Sequence, residues 1–208
     1  MSINRMSRTA CRALAVLVVA LLVACGQGGT RNSAATDGPL GTPSDGGQPA
    51  VDTASIALNF GQTADGGIDI VNSAEASVRI TAISLVPING EPDGRLVHVA
   101  IIVHGSAIGA DRSWPPEGIG KKFQPAIGAN IPPGVSQIVI GITGMPGVAH
   151  YAVAGARIDY VYRGAPYTTI AWDALAACFE QNGSTTGPSC SAFGDKVNWI
   201  FKRMVGLS

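Results

Sequence analysis

From Ser55 to Trp172 the larger apolar side chains fall at alternate positions in run after run. A period of two is what strands with one buried face require, and helices cannot use it. Ile56, Leu58 and Phe60 alternate with Ala57 and Asn59, Asp65-Gly66 has the composition of a tight turn, and Ile68 and Ile70 resume the alternation as far as Asn72. This predicts a hairpin. Val78 to Val86 is a third strand, rich in β-branched residues and closed by Pro87 and the turn pair Asn89-Gly90. Arg95 to His104 sets Val97, Val99, Ile101 and Val103 on one face and Leu96, His98, Ala100, Ile102 and His104 on the other. Both faces are largely apolar, which predicts a strand in the middle of its sheet.

Beyond Ile131-Pro132-Pro133-Gly134, a strand places Ile138, Ile140 and Ile142 on one face. His150 to Arg163 alternates over a longer span, with Ala152, Ala154, Ala156, Ile158, Tyr160 and Tyr162 on one side and Arg157, Asp159 and Arg163 on the other. Gly164-Ala165 turns the chain and Pro166 to Trp172 completes a last hairpin. Seven strands with turns and no helices between them predict an all-β, two-sheet antiparallel sandwich. The stretch resembles the immunoglobulin-like sandwiches of secreted bacterial proteins, in Pro132-Pro133-Gly134 ahead of a strand and in the hairpin around Tyr160 to Tyr167. That resemblance implies architecture only. Asp173 to Phe179 is expected to form one helical turn. Val197, Ile200, Phe201 and Met204 recur at helical spacing, with Lys196, Lys202 and Arg203 elsewhere around the cylinder, so a short helix docked on the sandwich edge should end the chain.

The start of the chain has a different logic. Met1 to Arg12 carries Arg5, Arg8 and Arg12 without an acid, and Ala13 to Ala24 is then apolar without interruption. This is the layout of a secretory signal, and the run is too short to span a bilayer as a helix, which takes about 20 residues. Leu22-Val23-Ala24-Cys25 resembles the lipobox of bacterial lipoproteins. The resemblance implies attachment of a diacylglycerol to the Cys25 thiol, cleavage before Cys25, acylation of the new amino terminus and anchoring at the extracytoplasmic face of the cell membrane; the alternative is an ordinary signal cut near Ala24. Residues 1–24 would then be the signal, 25–54 the anchor and tether, and 55–208 the sandwich domain. The tether is rich in Gly, Ser, Thr and Pro, with Leu40 and Val51 its only larger aliphatics, so it cannot bury enough surface to offset its own ordering.

Removing Arg5, Arg8 and Arg12 leaves 11 cations against 14 acids, a mature charge near −3. Nothing in that balance favours nucleic acid or an anionic lipid surface as a partner. With Cys11 in the signal and Cys25 lipidated, Cys178 and Cys190 remain as a pair, most simply a disulfide outside the cytoplasm. A zinc site would need further ligands, and no histidine lies near these two in sequence.

Residues 106–130 form a long connection with Trp114-Pro115-Pro116 and Lys121-Lys122-Phe123. Long irregular connections often bind, so Trp114, Lys121, Lys122 and Phe123 are the candidate partner contact; the competing reading is that Trp114 and Phe123 fold back over a sheet edge. His98 and His104, six positions apart in one strand, would sit about 20 Å apart, too far for one metal to bridge. A copper-handling sandwich would need a clustered Cys, His and Met set, and Met145 and His150 come near each other without a cysteine. No nucleophile elbow, phosphate loop, dinucleotide fingerprint or zincin motif occurs. The expectation is a non-catalytic binding or scaffolding lipoprotein with no cofactor and an envelope protein or glycan as partner, against a metal-handling module and an unrecognised hydrolase.

Overall fold

A computed structural model describes residues 38–45, 48–49, 53–59, 62–88, 95–104, 110–111, 114–116, 123–143, 150–180 and 188–207. In chain order the strands are β1 (Leu40–Gly41), β2 (Ser44–Asp45), β3 (Gln48–Pro49), β4 (Thr53–Asn59), β5 (Thr63–Asn72), β6 (Val78–Pro87) and β7 (Arg95–Val103). Then come β8 (Ala110–Asp111), β9 (Phe123–Pro125), β10 (Asn130–Ile131), β11 (Gly134–Thr143), β12 (His150–Tyr162), β13 (Ala165–Glu180) and a helix, Pro188–Met204. The seven long strands are those marked by alternation, and among the described residues the fold is all-β with one C-terminal helix, as expected. The first sheet runs β1-β5-β11-β7-β9, with β8 on β5, and the second runs β10-β6-β12-β13-β4; β2 and β3 pair only with each other.

Between the two sheets lies a core that draws Ile68 and Ile70 from β5, Ile101 from β7, Ile138, Ile140 and Ile142 from β11, and Ile158 and Tyr160 from β12. The seam is dense in β-branched residues, whose stiff side chains pack well on a pleated surface. β7 has buried residues on both faces, as the sequence implies, but the centre of its sheet belongs to β11, where every residue from Ser136 to Ile142 is buried.

Several expectations are corrected. The 56–70 hairpin does not form: β4 and β5 lie in different sheets, and Asp65 and Gly66 are inside β5. Gly66 is there for clearance, since a Cβ at that position would stand 3.2 Å from Leu175 Cδ2 across the core. β4 instead pairs with β13, and in parallel, from Thr53 opposite Ala174 to Asn59 opposite Glu180, so the sandwich is not wholly antiparallel.

This pairing also removes the helical turn foreseen at Asp173 to Phe179. Ala174-Leu175-Ala176-Ala177 favours helix locally, yet Leu175 and Ala177 face the inter-sheet core while Ala174, Ala176 and Cys178 face a second cluster. Burial on two opposite faces demands a strand.

The third correction concerns β12, whose facing residues change parity part-way along. Tyr151 and Val153 point into the inter-sheet core and Ala152 and Ala154 away from it, but beyond Gly155 the core residues are Ala156, Ile158 and Tyr160. The registers with β13 and β6 both shift between Val153 and Gly155. Gly155 has φ +150°, and a Cβ on it would collide with the Ala171 carbonyl oxygen. A glycine at the bulge lets one strand serve two cores.

The second cluster explains a further correction. The helix lies on the outer face of the second sheet rather than at its edge, with Phe193, Val197 and Phe201 set against Ala57, Ala152, Ala154, Ala174 and Ala176. Small residues beneath it and Gly194, where a Cβ would strike Ser55 Oγ, allow the close approach. Met204, counted in the apolar stripe, is instead 40% exposed.

The domain also begins earlier than residue 55. Leu40 is buried in the inter-sheet core, opposite Asn72 in the ladder with β5, and its N–H donates to the Tyr160 hydroxyl oxygen at 3.2 Å. Ser73 N–H donates to the Pro39 carbonyl at 2.9 Å, and Trp172 N–H donates to Thr42 Oγ1 at 3.1 Å. A single aliphatic in a polar stretch is enough to dock it when a ladder and a buried hydroxyl stand ready. Most of the rest of the expected tether lies outside the described residues.

Candidate functional site

Gly141 on β11 and His98 on β7 are direct partners in the ladder and share the outer face of the first sheet. Trp114 lies across both. Its ring stacks on His98 with centroids 4.9 Å apart and planes 12° apart, and a Cβ at Gly141 would stand only 2.8 Å from Trp114 Cε3. Phe123, in the short edge strand β9, meets the indole edge-on at 5.1 Å. This geometry is the favourable one for the ring quadrupoles. The aromatic pair of the long connection therefore folds back onto the sheet, and both rings are half-buried. Lys121 and Lys122, the cationic half of the candidate contact, lie outside the described residues.

The histidines are separated by the fold. His98 is exposed beneath the Trp114 stack, and His104 stands in a turn beyond the end of β7 with φ +52°, so it no longer shares the face of that strand. His150 opens β12, half-buried, its ring centroid 4.7 Å from that of Phe193 on the helix. Its ladder partner is Cys178, which is buried. Among the described residues no three His, Cys, Asp or Glu side chains come together to hold a metal. The side chain of Cys190 and the whole of Met145 and Cys25 lie outside the described residues.

Sequence reasoning missed the outward side of the C-terminal helix. Trp199 is 59% exposed there, with the Arg203 guanidinium 4.7 Å from its ring centroid, and Asp195, Lys196 and Lys202 are exposed beside them. The signal was available: Trp199 falls two positions from both Val197 and Phe201, on the side of the cylinder away from the buried stripe. A cation over an indole face is an attractive pairing that water only partly screens. No helix among the described residues is long and apolar enough to cross a membrane.

A smaller polar group sits on the second sheet, where the Arg157 Nε lies 3.3 Å from Asp159 Oδ1 and Thr168 donates its hydroxyl to the same oxygen. Both charged partners are largely exposed, so the pair contributes little.

No family model matches the chain, and no curated protein matches it either. Among solved structures it is similar to the ASH / PapD-like domain of human CEP192 (PapD-like domain 7), at 10% identity over 63% of this chain and 81% of that one, with a TM-score of 0.32. A likeness of that degree assigns neither family nor activity.

Proposed function

We propose that the protein is a membrane-anchored lipoprotein of the extracytoplasmic face, whose sandwich acts as a non-catalytic binding or scaffolding module of the cell envelope. The observation that carries this reading is Leu22-Val23-Ala24-Cys25 at the end of an apolar run preceded by three arginines. One acyl chain holds a protein only marginally, so stable anchoring rests on the additional chains that such lipoproteins carry. Cys25 stands 13 residues before Gly38, so the described fold begins within about 45 Å of the lipid at full extension.

The reading extends to a disulfide between Cys178 and Cys190, which would fasten the first turn of the helix to β13. Supporting it is the burial of Cys178 among apolar neighbours. Closing a loop of this length contributes about 3 kcal/mol in the chain-entropy model. The partner is an envelope protein or a glycan.

Intact-mass measurement of the membrane-derived protein tests the anchor. The expected mass is that of a chain starting at Cys25 plus a diacylglycerol and a further acyl group, with Cys25→Ser abolishing both processing and membrane retention. An unmodified thiol or an uncleaved leader overturns the reading.

A further inference from the structure

The helix has two unlike sides. Inward, Phe193, Val197 and Phe201 fill the second core, while outward stand Trp199, Lys196, Lys202 and Arg203 with one acid, Asp195. From the geometry and charge of that outward side we propose that it docks on an anionic membrane surface. The proposal rests on the lipid-anchor reading and goes beyond it, since an anchor alone does not say which face of the domain meets the bilayer.

Charge selects the face. Residues 188–208 carry three cations and one acid, whereas residues 25–187 carry 8 cations and 13 acids. The helix segment is thus net positive in a chain whose remaining mature residues sum to about −5, so anionic headgroups attract this segment while the rest of the charge opposes approach. The aromatic residue matches the same surface: an indole has an apolar body and a polar N–H, the combination favoured at the level of the headgroups. Among the described residues, Trp199 is also one of the most exposed large apolar side chains. Reach does not forbid contact, because the stretch from Cys25 to Gly38 spans at most about 45 Å. A second copy of the chain is a poorer occupant, since a two-fold interface centred on Trp199 would gather six cations against two acids.

The test uses the full lipidated protein, reconstituted into vesicles of phosphatidylcholine alone or with roughly one-third phosphatidylglycerol. Quenching of tryptophan emission by brominated lipids is compared between the wild type and Trp199→Phe, which isolates this ring from Trp114 and Trp172. Trp199 should be quenched in anionic vesicles, spared in neutral ones, and released by high salt. Lys196→Gln and Lys202→Gln should each lower the docked-to-undocked ratio about fivefold. Equal quenching in both vesicles, no quenching in anionic ones, indifference to the charge substitutions, or cross-links between copies through Lys196 would each overturn the proposal. Intact mass on the same preparation keeps the two readings apart. An unmodified Cys25 defeats the anchor alone, and the same quenching with protein added to preformed vesicles then still decides the docking.

Discussion

The outer faces of the two sheets are both covered, and by opposite means. Among the described residues, a helix of 17 residues lies over the second sheet on a floor of alanines, and an indole lies over the first on a glycine and a histidine. In both places the small residue underneath is what permits the cover, because a close-packed interior admits a large side chain only where another has been withheld. The difference is in scale. The helix buries a second core of its own, with Phe201 and Val197 fully enclosed, whereas Trp114 and Phe123 are only half-buried. A regular element brings one side into the fold and necessarily turns the other outward, which is how Trp199 and its cations come to be exposed.

If the helix is the weightier cover, its removal should cost most. Phe201→Ala should destabilise the protein by about 4 kcal/mol, read from the shift of a urea unfolding midpoint, because it empties the middle of the second core. A loss below about 1 kcal/mol would mean that the helix merely rests on the sheet. On the other face, Gly141→Ala forces a Cβ into the indole and should cost about 1–3 kcal/mol. The cost should shrink when Trp114→Ala is combined with it, since the clash needs both groups. Simple additivity of the two would show that Trp114 does not lie on Gly141 in solution. The smallest effect is expected for His98→Ala, about 0.5–1 kcal/mol, with a change in the near-ultraviolet circular dichroism of the stacked indole. An unchanged spectrum would remove His98 from the stack.

How far this was readable depended on whether a feature is local. Alternation at Val78 to Val86 or at Ile138, Ile140 and Ile142 marked strands correctly, and the spacing of Val197 and Phe201 marked the helix, because each pattern needs only neighbours in sequence. Asp65-Gly66 misled, since the same glycine serves a turn or a close approach, and only Leu175, more than a hundred residues away, selects between them. Ala174 to Cys178 misled in the other direction: a helix-favouring composition was overruled by burial on two faces. The aromatic character of Trp114 and Phe123 marks them as a cover for the sheet, and their partner Gly141 has no signal of its own.

From the sequence alone came the seven long strands, the all-β class and the closing helix, because hydrophobic periodicity is written residue by residue and survives whatever the strands are paired with. Only the tertiary structure decided the pairing of β4 with β13, the capture of Leu40, the change of face at Gly155 and the outward turn of Trp199. Those depend on contacts between residues far apart in the chain. A single bulge is enough to reverse every inward and outward assignment beyond it.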